Sequence, residues 1–248
     1  MRIAAISDIH GNLAALDAVL ADIARRGVDV TVNLGDIVSG PLQPRETAAR
    51  LMALALPTIR GNHERQLLAD PARMGVSDAY ARAQLLPEQL DWIAALPGTL
   101  RLRHDVLLVH GTPASDLVYF LDTVTPQGSR AATMDEVAQR AGDASAGLIL
   151  CGHTHLPRSM ALPDGRLIVN PGSAGLPAYD DEHPYAHVME NGTPHARYAI
   201  VEDDAQGRWQ ARFHQVDYDW ETAAQLALDR GRPDWVAPLR SGRVAAAI

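Results

Sequence analysis

Short apolar runs, each closed by glycine or polar residues, alternate along the chain with stretches whose apolar positions recur every three to four residues. Ile3 to Ile6 stops at Ser7-Asp8 and reads as a buried strand. Asn12 then caps a helix that carries Leu13, Leu16, Val19, Leu20 and Ile23 on one face, and Gly27 ends it. Val28 to Leu34 is a second strand, running into Gly35-Asp36. Arg45 to Leu56 predicts a helix, followed by Pro57-Thr58-Ile59 and then Gly61-Asn62-His63. Pro87 opens a helix through Leu96, with Leu86, Leu90, Ile93 and Leu96 on one stripe. Val106–Val109, Leu148–Cys151 and Leu167–Val169 are further buried strands, and Met134–Arg140 reads as helix. This alternation predicts an α/β fold with right-handed crossovers.

The last quarter changes character. Arg197–Glu202 and Trp209–Val216 flank a turn-forming stretch and predict an antiparallel hairpin. A helix over Glu221–Leu228 follows, and the tail after Pro233 reads as irregular. Neither a repeat nor a low-complexity linker interrupts the chain, so residues 1–248 are expected to form one domain, with its C-terminal hairpin and helix at about 197–230. Two long segments lack periodicity. Residues 112–133, with Tyr119, Phe120 and Arg130, are a candidate specificity wall. Residues 174–196 read either as a solvated excursion or as a loop covering a substrate.

Composition narrows the function classes. The 248 residues are 47% hydrophobic and 21% charged, which excludes disordered and collagen-like readings. The net charge of −8 argues against an extended nucleic-acid surface. All 22 basic residues are arginine, so Schiff-base and Walker-type lysine chemistry is excluded. The one cysteine, Cys151, cannot form an internal disulfide and reads as packing on a strand. The N-terminal apolar run is too short for a signal peptide, and no run is long enough to span a membrane, so a cytoplasmic location is expected. Ten histidines beside two phenylalanines call for a chemical reason.

That reason lies just after the predicted strands. Asp8 and His10, Asp36, Asn62 and His63, His110, and His153 and His155 all follow such runs. In open α/β sheets, sites form beyond the carboxyl ends of strands, so segments distant in sequence can converge. Imidazole and carboxylate groups suit divalent metals of hard to borderline character. Seven side chains (Asp8, His10, Asp36, Asn62, His110, His153 and His155) exceed one tetrahedral site and suit two ions sharing a carboxylate, the arrangement used in phosphoryl transfer. His63 is then left for proton transfer.

Asp8-Ile9-His10, Gly35-Asp36, Gly61-Asn62-His63-Glu64, His110-Gly111 and Gly152-His153-Thr154-His155, in that order, resemble the motif blocks of the calcineurin-like metallophosphoesterase superfamily. Asn170-Pro171-Gly172-Ser173 is a further matching block. The resemblance implies a four-layer α-β-β-α sandwich of two mixed sheets. It implies one metal on Asp8, His10, Asp36 and His155 and a second on Asp36, Asn62, His110 and His153, with manganese favoured and iron, zinc, nickel or cobalt as alternatives. It implies attack on phosphorus by a metal-activated bridging hydroxide, with His63 stabilising charge or protonating the leaving oxygen.

The second block departs from the protein-phosphatase pattern Gly-Asp-x-Val-Asp-Arg-Gly. Here it reads Gly35-Asp36-Ile37-Val38-Ser39-Gly40-Pro41, without the aspartate that would orient the catalytic histidine and without the adjacent arginine. The chain therefore looks more like the small bacterial phosphodiesterase branch. A phosphomonoesterase, a protein or nucleotide phosphatase and a non-catalytic scaffold are the alternatives. Arg60 and Arg65 flank the third block as candidate phosphate binders. Glu64 reads as a first-turn helix residue, and Asn170–Ser173 as a turn supporting His153 and His155. Trp209, Phe213, Tyr218 and Trp220 read as sheet core or a dimer contact. The expected partner is a small phosphate ester, with room for a homo-oligomer and no membrane.

Overall fold

The computed structural model describes residues 1–245; the last three positions of the expected domain and tail lie outside the described residues. The chain enters through β1 (Arg2–Ile6), α1 (Leu13–Arg26), β2 (Val30–Asn33) and α2 (Pro44–Leu54). Three more helices follow: α3 (Asn62–Leu67), α4 (Val76–Gln84) and α5 (Pro87–Ala95). Then come β3 (Thr99–Arg103), β4 (Val106–Val109), the ribbon β5 (Asp122–Thr125) and β6 (Gly128–Ala131), and α6 (Met134–Ala141). Next are β7 (Leu148–Leu150), β8 (Pro157–Ala161) and β9 (Leu167–Pro171), a second ribbon β10 (Ala178–Asp181) and β11 (His187–Glu190), and the hairpin β12 (Ala196–Asp203) and β13 (Trp209–Val216). The chain closes with α7 (Trp220–Asp229), a 3-10 turn at Pro233–Trp235, and α8 (Val236–Ser241).

Two mixed sheets form the centre, ordered β13-β12-β1-β2 and β3-β4-β7-β9-β8. β1 pairs with β2 in parallel and with β12 antiparallel; β4, β7 and β9 run parallel, with β3 and β8 antiparallel at the edges. The two-residue period of a strand decides the layers. Ile3 and Ala5 join Val32, Leu108, Leu150, Val169 and Val201 in an apolar layer between the sheets. Ala4 and Ile6 turn the other way and meet Leu16, Val19, Ile23, Leu51 and Ile93 of the helices. On the far side, Val109, Ile149 and Ile168 pack against Val137 and Ala141 of α6. The result is the α-β-β-α sandwich.

Three expectations need correction. The tail after Pro233 is not irregular over its described part: it makes the 3-10 turn and α8, and Trp235 and Leu239 pack with Ala224 and Ala227 of α7. Residues 174–196 are not a bare loop, because β10 and β11 pair in register from Ala178–Glu190 to Asp181–His187. The 112–133 segment likewise holds a paired ribbon. Of the aromatic quartet, Trp209 and Tyr218 pack on the core, whereas Phe213 is exposed on β13. No helix among the described residues is long and apolar enough to cross a membrane.

Candidate active site

The chemistry-bearing residues follow β1, β2, β4 and β7 or open α3, and the packing of the two sheets brings these ends together. Their loops bend sharply. Asp8, His10, Asp36, His153 and His155 have φ of 51° to 71°, a left-handed conformation that costs about 1–3 kcal/mol at a non-glycine residue. Among the described non-glycine residues only Ala55, at the end of α2, shares it without being a candidate ligand. Glycines let the loops converge: a Cβ on Gly61 would collide with Asp36 Oδ1, and one on Gly152 with Ser7 Oγ.

Main-chain carbonyls aim the imidazoles. Nδ1 donates to Ser39 O in His10 (2.8 Å), to Leu34 O in His110 (2.8 Å) and to Leu176 O in His155 (2.6 Å). In His10 and His155 the neutral ring then carries its Nε2 lone pair into the site, and in His110 Nε2 is turned toward Asp36. His153 is reversed, with Nε2 donating to Leu117 O at 3.2 Å and Nδ1 left for the site. Two clusters result: Asp8, His10 and His155, and Asp36, His110 and His153, with ligand atoms inside each group within 4.8 Å of one another. Asn62 Oδ1 joins the second, 3.0 Å from His110 Nε2, which also lies 3.1 Å from Asp36 Oδ2.

This donor set fits metal ions. His10 Nε2 and His155 Nε2 face each other at 3.1 Å although their protons are committed on Nδ1. Lone pair thus opposes lone pair, a repulsion that a cation between the two rings would turn into bonds. At His110, burial pulls the imidazolium down, but Asp36 and Asp8 outweigh it and raise it to about 10, so its Nε2 donates to Asp36 Oδ2 where an ion would take the proton's place. Burial holds His10 down at about 4 and His153 at about 3, and it drives His155 well below its ordinary value, so all three are neutral imidazoles. Burial lifts the Asp8 carboxyl to about 7. Burial alone would also raise Asp36, but His110 and His63 hold it well below the carboxylate range.

His63 stands apart from both clusters. Its backbone N–H donates to Asp36 Oδ1 at 3.0 Å, and its Nδ1 donates to Asp78 Oδ1 at 2.8 Å. Ser39 Oγ donates to the same Asp78 oxygen at 2.7 Å. The orienting aspartate missing from the second block is therefore supplied by buried Asp78 on α4, and Ser39 braces it. Sequence reasoning missed Asp78, since no spacing rule ties it to His63; only a helix prediction over 76–84 with Asp78 on its inner face would have pointed there. Burial pulls the His63 imidazolium down, but Asp36 and Asp78 outweigh it and raise it to about 9.

Other supports are buried. Glu64 is a first-turn residue of α3, as expected, but its fully buried carboxylate also accepts three N–H bonds, from Asp36 (2.8 Å), Ile37 (2.7 Å) and Gly61 (2.9 Å). It joins the second block to the third. In the Asn170–Ser173 turn, Asn170 Nδ2 donates to Gly152 O (2.6 Å) and Thr154 Oγ1 (3.0 Å), and Ser173 Oγ donates to Asp8 O (2.7 Å). Cys151 is buried and its thiol is pushed well up by burial, which leaves it a packing residue.

A cleft of about 790 Å³ opens over His10, Asp36, Asn62, His63, His153 and His155. Both ribbons wall it. Tyr179 donates to His153 O at 3.1 Å, and Tyr119 meets Tyr179 Oη at 2.6 Å and His187 Nε2 at 2.9 Å. Arg60 and Arg65 do not line this cleft: they lie in a separate groove, where Arg65 makes a bidentate pair with Asp116 at 2.6 and 2.9 Å.

The sequence profile of the calcineurin-like phosphoesterase superfamily domain matches residues 1–192, and the chain belongs to that family. It is a metallophosphoesterase, a hydrolase acting on phosphate esters. The crystal structure of a metallophosphoesterase from Sphaerobacter thermophilus is 28% identical, aligns over 98% of this chain and 100% of that one, and gives a TM-score of 0.75. An uncharacterized protein of Methanocaldococcus jannaschii is 26% identical over 260 residues, covering 94% of this chain and 95% of its own. The structure of a putative diadenosine tetraphosphatase, 17% identical over 86% of this chain and 93% of its own with a TM-score of 0.52, shares the fold.

Proposed function

We propose that the protein hydrolyses small phosphodiesters at a dinuclear centre, with manganese the favoured metal. One ion is assigned to Asp8, His10, Asp36 and His155 and the other to Asp36, Asn62, His110 and His153, Asp36 being shared. When bound, the two ions supply Lewis acidity to the phosphoryl oxygens and lower the pKa of a water for attack in line with the leaving group. The chain's own residues do the rest. Asp78 and the His63 backbone bond to Asp36 fix the imidazole. His63 Nε2 then delivers its proton to the leaving oxygen, a role that contributes about 10²–10⁴-fold when the acid is well placed. The −8 of the chain does not oppose an anionic substrate, since two dications set against Asp8 and Asp36 make the pocket locally positive. We place this activity in the cytoplasm, in keeping with the one buried thiol.

The observation that supports diesters is the state of the arginines. Arg140 and Arg232 line the cleft, yet both are spent on the protein. Arg140 donates to Phe120 O, Asp122 O and Thr123 Oγ1, and Arg232 to Asp234 and Ser77. A monoester dianion finds no free guanidinium there. A diester carries a single charge, and Leu117, Val118 and Tyr119 offer apolar wall to its second arm.

The test compares bis(p-nitrophenyl) phosphate with p-nitrophenyl phosphate in the presence of manganese. The expected kcat/KM favours the diester by about tenfold, roughly 1.4 kcal/mol of barrier. A preference for the monoester overturns the diester reading, and no turnover with manganese, iron, zinc, nickel or cobalt overturns the catalytic one. Asp36→Asn at wild-type activity defeats the shared centre.

A further inference from the structure

We propose that Trp235, in the C-terminal turn outside the span matched by the family profile, is a specificity-determining residue: it limits the size of the ester arm accepted on the His10 side of the cleft. The inference rests on the phosphodiesterase reading above and adds what selects among diesters.

The indole is placed by its far edge. A Cβ on Gly40 would lie 2.6 Å from Trp235 Cη2 and 3.1 Å from Cζ3. The ring therefore fills the space that any side chain at position 40 would take, on the loop that also carries Asp36 and Ser39. The ring also meets the His10 imidazole in a T-shaped contact, with centroids 6.1 Å apart. Behind, the ring packs with Leu42, Leu176 and Leu239 and is 6% exposed, yet it still lines the cleft. A purely structural tryptophan does not need to bring its rim to a candidate metal ligand.

The turn is also fastened as a wall should be. The Arg232 guanidinium lies 5.6 Å from the Trp235 ring centroid and is held by Asp234 and by Ser77 Oγ (2.8 Å). Arg230 donates to Pro41 O at 2.7 Å and lies over the Tyr80 ring. Two arginines thus tie the turn to α4 and to the loop after β2, so the indole cannot swing aside cheaply. A fixed wall discriminates by size because accommodating a larger arm requires moving packed atoms.

The experiment measures kcat/KM for a small diester, methyl p-nitrophenyl phosphate, and a bulky one, thymidine 5′-(p-nitrophenyl) phosphate, on the wild type, Trp235→Ala and Trp235→Phe with manganese. The expected result is a rise of about tenfold in the bulky-to-small ratio for Trp235→Ala, with Trp235→Phe between it and the wild type. An unchanged ratio in both variants overturns the proposal while leaving the phosphodiesterase reading intact. If Trp235→Ala does not fold, the ratio in Trp235→Phe decides alone. A wild type inactive on both diesters overturns the phosphodiesterase reading, and this inference with it.

Discussion

Asp78 reaches His63 from the following α-helix, fifteen residues on, and with Asp36 it favours the charged form of the ring. As the proposed acid, His63 must be protonated, so activity should fall as pH rises through its pKa. Burial opposes the proton; Asp36 and Asp78 override burial and raise the group to about 9. Asp78→Asn removes one of these charges and lowers that pKa, so the alkaline limb of the pH–rate profile should move to lower pH by about one unit. The maximal rate should fall by roughly tenfold or more as the ring loses its anchor. An alkaline limb that stays in place or moves upward would show that Asp78 does not govern His63. At this scale the sequence was generous: all seven proposed ligands and His63 stand in short blocks with fixed internal spacing, and the structure gathers them. Asp78 escaped because tertiary packing alone brings α4 beside α3.

The elements readable in advance were those with a strong period. β4, β13 and α1 have the predicted bounds, α1 between its Asn12 cap and Gly27, and β1, α2, α5, α6, β12 and α7 differ by one or two residues. α4 was missed because only Asp78 and Ala81 are buried on it, too few to make a stripe. β8 opens with a proline and lies at a sheet edge, half exposed, so nothing in its composition marks a strand. α8 hides behind Pro238, its third residue. The two ribbons carry no apolar alternation; each pairs within itself, and Ser129 Oγ donates to Val188 O between them at 2.9 Å. Asn12, by contrast, does what the sequence predicts and more. Its Oδ1 accepts from Ala15 N at 3.2 Å as the α1 cap, and its Nδ2 donates to Gly175 O at 2.9 Å and to Tyr218 Oη at 3.2 Å. Asn12→Ala should cost about 1 kcal/mol for the cap and about 1–3 kcal/mol for the orphaned buried carbonyl. Urea unfolding should show a lower midpoint at unchanged slope, with Asn12→Asp in between. A wild-type midpoint for the alanine variant would deny the cross-link.

For the whole molecule, the proposed centre gathers terms that are unfavourable unless ions are bound: five left-handed residues, opposed imidazole lone pairs and two buried carboxylates. Ligands that bind only the folded state offset these. Each divalent ion at a hundredfold excess over its Kd contributes about 2.7 kcal/mol, and a chain of this size shifts by roughly 2–4 °C per kcal/mol. Chelation should therefore lower Tm by about 10 °C or more, and added manganese should restore it. A Tm indifferent to chelator would count against two tightly held ions.

β1 carries the first two proposed ligands at its end, and it has neighbours from opposite ends of the sequence: β2, at Val30–Asn33, on one side and β12, at Ala196–Asp203, on the other. During synthesis the first partner emerges almost at once, whereas the second emerges only after some 160 further residues have been made. Until then Ile3–Ala5 presents an open sheet edge, the kind of template on which other chains pair and aggregate. The span matched by the family profile stops at residue 192, short of β12. The profile-matched span and the sheet that holds β1 thus have different boundaries in this chain: a strand that contributes no proposed ligand covers the open side of the strand that leads into Asp8 and His10.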